Sequence, residues 1–418
     1  MQLGEFGQPR AQRLCEDLFV KHKLAGSFLF EGPAGVGKEA CAVELGRLLN
    51  CERDGGCEPR GLFRPRPVAD DGPACSSCRR FRSLQHPDLH LLFPVPTGFW
   101  EAQPKPDFEL PEAWREREFT AVTEVLQAKA RDPYFKPFFE RPVGIQAETL
   151  RDVVLPAVQR RPTEARMKVV ILSDAEQMAF GIGNLLLKTL EEPPPDCLLV
   201  LTSSVPRRLL PTLRSRCQRL VFTPLQPDWM VPRLELLHAT SSAEARTAAF
   251  LSQGSMLAAG RYLTGMLQEV RERALAILRA AAKCDAFELL QLAHGTTKAV
   301  SGQRQKLPLL LQILASLARD ALLLAEDAAG EPGPAPAAAR GRTARAQAPA
   351  RLVHQDRVED LRALSRGFDS PGLRRIVGET QRAERQIAGY AHGELTLAAL
   401  FLGLARESTA ARALAARP

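Results

Sequence analysis

The sequence predicts an α/β domain, a parallel sheet flanked by helices, followed by a second half made only of helices. Three observations carry this reading. Short, continuously apolar runs at 28–30, 169–172 and within "CLLVLTSS" alternate with helical patterns in the first 222 residues, and strands apolar on both faces belong to parallel sheets covered by helices. The stretch "GPAGVGKEA" at 32–40 sits between the first of these runs and a helical pattern. After about residue 223 the strand signal stops, and apolar residues recur at helical spacing over 243–251, 256–281, 287–294, 307–324, 356–364, 373–390 and 395–404.

A chain of 418 residues is too long for one compact core, so two or three domains are expected. The composition, 45% hydrophobic and 25% charged, is that of a globular protein, and a net charge of +8 suits a phosphate-rich partner without requiring one. The N-terminal "MQLGEFGQPRAQRLCEDLF" has no apolar core of signal-peptide length, and no uninterrupted apolar run approaches a membrane span. The reading is therefore cytoplasmic, with no membrane partner. In that compartment the nine cysteines are kept reduced, and clustered ones point to metal.

"GPAGVGKEA" matches GxxxxGK through Gly32, Gly37 and Lys38, with Gly35 inside the loop. Strand, glycine loop and helix together aim backbone N–H groups, a helix N-terminus and a lysine at phosphate oxygens. A purely structural glycine turn is the competing reading. Hydrolysis needs a hydroxyl after the lysine and an acidic residue at the next strand end, both on magnesium. Here those places hold Glu39 and Ser173, and the place of the water-polarising glutamate holds Asp174. The loop is expected to be a cradle for ATP or ADP at most, not a hydrolytic centre.

Cys51, Cys57, Cys75 and Cys78 end in a CxxC and lie in a glycine-, proline- and arginine-rich segment, 51–78. Four thiolates can enclose a zinc ion and supply the folding energy that so polar a segment lacks; a redox CxxC or two unrelated pairs are the alternatives. Cys15, Cys41, Cys197 and Cys284 sit on apolar patterns and are expected in the core. In "LLPTLRSRCQRLVF", Arg214, Arg216 and Arg219 are by themselves an ordinary solvated face. Their position after the phosphate loop and two strand ends instead fits an arginine reaching a neighbour's nucleotide. Residues 91–142, rich in proline and aromatics with one helical stretch near 118–130, read as an insertion without a legible role. The Ala-, Pro-, Gly- and Arg-rich tract at 328–351 reads as a flexible loop.

"LLNC" before the cysteines, "HPDLHLL", "KVVILSDAEQM", "NLLLKTLEEPP" and "LLPTLRSRCQRL" follow one another in an order that resembles the AAA+ clamp loaders of bacterial replicases. The resemblance covers roughly residues 20–222 apart from the insertion. It implies an AAA+ module over 1–222 carrying a zinc module at 51–78, a helical lid at 223–265 and a helical collar at 266–418. It also implies that Ser215, Arg216 and Cys217 form the family's SRC motif, with Arg216 a finger acting in trans, and that Cys51, Cys57, Cys75 and Cys78 hold structural zinc. The implied partners are the gamma/tau and delta subunits, with the sliding clamp and primed DNA reached through the assembled loader of the polymerase III holoenzyme. Glu39, Ser173 and Leu257, where ATPase subunits place a sensing arginine, set the chain apart from the gamma/tau ATPases. A gamma/tau-type ATPase with unusual metal ligation and an AAA+ DNA-binding protein outside the replisome remain the alternatives.

Overall fold

In the computed structural model, the structure describes residues 7–20, 26–53, 74–96, 123–137, 143–145, 147–178, 182–300, 306–329, 352–388, 393–409 and 411. They form two compact units: Met1–Ala239 with Gln253–Ala258, and Thr240–Ser252 with Ala259–Pro418. Cys57, most of the 91–142 insertion and 330–351 lie outside the described residues.

The first unit is built on five parallel strands in the order β2-β5-β6-β1-β7: β1 Gly26–Glu31, β2 Leu89–Leu92, β5 Lys168–Leu172, β6 Cys197–Ser203 and β7 Gln218–Val221. A small antiparallel pair, β3 Val95–Pro96 with β4 Val143–Gly144, stands apart from it. The apolar runs become the strands buried on both faces: every residue of β5 and β6 is buried. The two edge strands carry little signal, because only one residue of β7, Leu220, is buried and the middle of β2 is half-exposed. Leu172, Leu199, Leu201, Leu186, Leu190 and Leu213 form part of the core under one face, each such side chain contributing about 1.5–3 kcal/mol by burial.

Asp88 in "HPDLHLL" has a structural role. Its carboxylate accepts the backbone N–H groups of Thr163, Glu164 and Ala165 at 2.7, 2.8 and 2.8 Å, fixing the turn that feeds β5. Burial alone would raise its pKa; the three N–H groups outweigh that and hold it below the usual carboxylate range. Asp88→Ala should therefore cost about 2–4 kcal/mol at neutral pH, since three donors lose their acceptor. A depressed carboxylate stabilises above its unfolded pKa, so the gap between wild type and variant in urea titrations should shrink as pH falls through about 4 and below.

The helix Pro227–His238 was not legible in the sequence, and Pro232 inside it explains why. In the second unit six of the seven predicted helices occur with shifted ends: Ser242–Leu251, Ala286–Val300, Lys306–Ala329, Val358–Gly367, Ser370–Ala388 and Gly393–Arg406. The single helix expected over 256–281 is a correction, because it breaks at Thr264 and Gly265, where Gly265 takes φ 91°. Lys306–Asp327, within the helix Lys306–Ala329, is apolar and long enough to cross a membrane. Here it is a core helix, with Leu310, Ile313, Leu314, Leu317 and Ala321 buried. Its buried Asp320 accepts the backbone N–H groups of Val353 and His354 at 2.8 and 2.9 Å, securing the chain where it re-enters after residue 351. Burial, then the nearby arginines, pushes His354 down to about 3, so it packs as a neutral ring.

Candidate functional site

The glycine loop stands where the sequence puts it, between β1 and the helix Lys38–Leu49. Gly35 and Gly37 hold φ of +76° and +89°, and Gly37 opens the helix from the left-handed region. Lys38 does not project into open space. Its ammonium donates to the carbonyls of Gly32 and Pro33, both at 2.6 Å, and to Ser204 Oγ at 3.2 Å. Burial, then the charge of Lys136, lowers it to about 8.

The two departures from an ATPase meet each other. Ser173 Oγ donates to Glu39 Oε2 at 2.5 Å, and Lys129 Nζ donates to the other oxygen, Oε1, also at 2.5 Å. Asp174 is held by Lys136 Nζ at 2.6 and 2.7 Å. Glu176 Oε1 accepts the backbone N–H of Ser204 at 2.9 Å, while its buried Oε2 has no hydrogen-bond partner among the described residues. Glu39 and Asp174 are thus bound by ammonium and hydroxyl groups of the chain itself.

Cys51, Cys75 and Cys78 converge with their sulfurs within 4.8 Å of one another, all buried. The Cys51 and Cys75 sulfurs are 4.0 Å apart, close to the separation of two thiolates on one tetrahedral zinc with bonds of about 2.3 Å. Cys75 caps the helix Ser76–Arg82, its sulfur accepting the Cys78 N–H at 3.4 Å. The fully buried Arg47 pairs with Glu44 at 2.6 Å and also donates to Cys78 Sγ at 3.2 Å, a hydrogen bond that strengthens when the sulfur is an anion. Soft donors, burial and an N–H aimed at a sulfur suit a thiolate-bound ion. Burial pushes Cys78 well above the ordinary thiol range, so metal binding would release its proton.

Arg216 follows the short helix Pro211–Ser215. Its Nη1 donates to Thr212 O at 3.0 Å and its Nε to Glu191 Oε1 at 2.5 Å. Ser215 Oγ is spent on Thr212 O at 3.1 Å. Cys217 is buried, its thiol pushed up to about 12. Arg219 is committed elsewhere, to Glu31 at 2.5 Å.

A family model described as DNA polymerase III, delta subunit, matches residues 7–226. The chain belongs to that family. It is similar to the DNA polymerase III delta-prime subunit of Bacillus subtilis, 32% identical over 227 residues that cover 54% of this chain and 51% of that protein. The delta-prime subunit of Pseudomonas aeruginosa is 30% identical over 209 residues, 50% of this chain and 46% of that one. The B. subtilis tau subunit is 22% identical over 228 residues, 54% and 30%. The chain thus spans about half the length of the delta-prime relatives it matches, and it is a delta-prime-like member of the family. Among solved structures, a gamma-subunit-related protein of Thermotoga maritima matches at 20% identity over 69% of this chain and 90% of that one, TM-score 0.30. The B. subtilis clamp loader delta protein matches at 12% identity over 78% and 98%, TM-score 0.26.

Within this delta-subunit family member the sequence-predicted residues fall into three places. Gly32, Gly35, Gly37 and Lys38 make one loop, three of the four cysteines make one cluster, and Arg216 stands beside Ser215 and Cys217 with its guanidinium on Glu191. Sequence reasoning missed Lys129, Tyr134 and Lys136, because 91–142 shows no period beyond its one helix, found at 123–131. It also missed Arg47, which reads as an ordinary helix arginine; the signal was its place four residues before Cys51.

Proposed function

We propose that this chain is a subunit of a bacterial clamp loader that helps place a ring-shaped sliding clamp on primed DNA and does not itself hydrolyse ATP. Its catalytic contribution is Arg216, reaching the nucleotide of an adjacent subunit and stabilising charge that develops on the transferred phosphate. The observation that carries this reading is the pairing of Glu39 with Ser173 at 2.5 Å. The two positions that would ligate magnesium are bonded to each other, which supports a loop without hydrolytic apparatus, and the arginine of the SRC turn is about one-third exposed.

In the same reading residues 1–222 are the AAA+ module, 223–265 the lid and 266–418 the collar that meets the gamma/tau and delta subunits. Cys51, Cys57, Cys75 and Cys78 would hold a structural zinc. The ion supplies no chemistry to the reaction; it supplies folding energy to residues 51–78. Mixed with gamma/tau and delta subunits, the full chain should elute as one complex, and clamp-stimulated ATP hydrolysis should require its presence. Failure to co-assemble would instead indicate an AAA+ protein acting outside the replisome.

A further inference from the structure

We propose that residues 123–137 are a built-in stopper of the phosphate cradle, keeping this chain free of nucleotide by occupying the cradle with its own side chains. Four observations meet there. First, Tyr134, only 5% exposed, lies against the start of the loop's helix: a Cβ added at Gly37 would stand 3.1 Å from its ring. That is where the helix N-terminus would receive a phosphate oxygen.

Second, the segment delivers two ammonium groups. Lys129 Nζ bonds Glu39 at 2.5 Å and Phe135 O at 3.3 Å, and lies 5.4 Å from the Phe93 ring centre. Lys136 Nζ grips both oxygens of Asp174. Each ammonium sits on a carboxylate at, or next to, a place that would hold magnesium. Third, the charges balance without a ligand: Lys38, Lys129 and Lys136 stand among Glu39, Asp174 and Glu176. Lys129 and Lys136 are thus already paired with carboxylates of the chain, leaving less positive potential to attract a phosphate. Fourth, in the half-open cleft lined by Gly35, Lys38, Lys129, Tyr134 and Lys136 the enclosed part has room of about 20 Å³, enough for a water or two.

The segment is ordered by its own short-range bonds. Asp132 accepts the Tyr134 N–H at 2.9 Å, and the Phe135 N–H donates to Asp132 O at 2.9 Å. The turn that presents Tyr134 and Lys136 is therefore preset by the sequence "RDPYFK" rather than moulded by a ligand.

The test uses the full chain and a fluorescent ATP analogue with magnesium. Wild type should show no saturable binding up to about 1 mM. Glu39→Thr with Ser173→Asp restores the metal-ligand types and keeps Tyr134 and Lys136 while removing the Glu39 partner of Lys129, and should stay at least tenfold weaker than the same pair combined with Lys129→Met and Tyr134→Ser. Equal affinity with and without the stopper substitutions overturns the proposal, as does micromolar binding by wild type. A second readout covers the case in which the fourfold variant misfolds: in wild type, the amides of 123–137 should be protected from hydrogen exchange, and 1 mM magnesium ATP should leave that protection unchanged within error, on the order of the affinity bound above. Exchange as fast as a free peptide, or a change on adding nucleotide, refutes the stopper. Because these measurements need no partner subunit, they stand or fall separately from the loader assignment.

Discussion

Arg216→Ala should reduce the clamp-stimulated ATPase of the assembled loader by about 10³-fold or more, the range over which arginine fingers act, while complex formation stays intact. The structure separates the two effects. Arg216 caps a five-residue helix, and its side chain is about one-third exposed, paired with the half-exposed Glu191. An exposed pair of that kind is worth about 0–1 kcal/mol, so truncation leaves folding almost untouched. Arg216→Lys should rescue little, because an ammonium cannot reproduce the planar fork that meets two phosphate oxygens. Unchanged steady-state hydrolysis with Arg216→Ala, with assembly confirmed by gel filtration, would exclude a finger in trans.

The second large effect lies in the cysteine cluster. Elemental analysis of the purified chain should find about one zinc per molecule, and Cys78→Ser should bring that close to zero. Because metal binding and folding are one event in such small modules, the variant should lose several kcal/mol, read as a lower thermal midpoint. Arg47→Met should cost about 3–5 kcal/mol for a different reason: it strands Glu44 as a buried charge, both side chains being fully inaccessible. A chain that holds no metal yet unfolds at the same temperature as its Cys78→Ser variant would exclude the four-cysteine site.

The parallel sheet, the loop and the helical second half were legible because each rests on a repeating pattern. Val169 to Leu172 are all buried, and the apolar run announced it. Of the four cysteines read as core, Cys15, Cys41 and Cys197 are buried, while Cys284 is half-buried with its sulfur 2.9 Å from Ser408 Oγ. The edge strands stayed hidden because a strand with one buried residue has no period to detect. The site was half legible. Spacing revealed Lys38, Glu39 and Ser173, yet the meaning of Glu39 depends on Lys129, ninety residues later in sequence. No local pattern encodes a partner at that separation; only the fold brings the two charges together.

The loop's glycines have a further consequence for how such motifs are read. Behind the loop, Gly35 carries φ +76°, and a Cβ there would fall 2.2 Å from Ser255 Oγ and 2.7 Å from Leu257 Cβ. The Gly35 carbonyl also accepts the Met256 N–H at 3.0 Å. The joint between the loop and residues 255–257 therefore demands glycine at this position even if no phosphate ever arrives. At Gly35, then, close packing alone is enough to fix one residue of a sequence pattern that is usually read as chemistry.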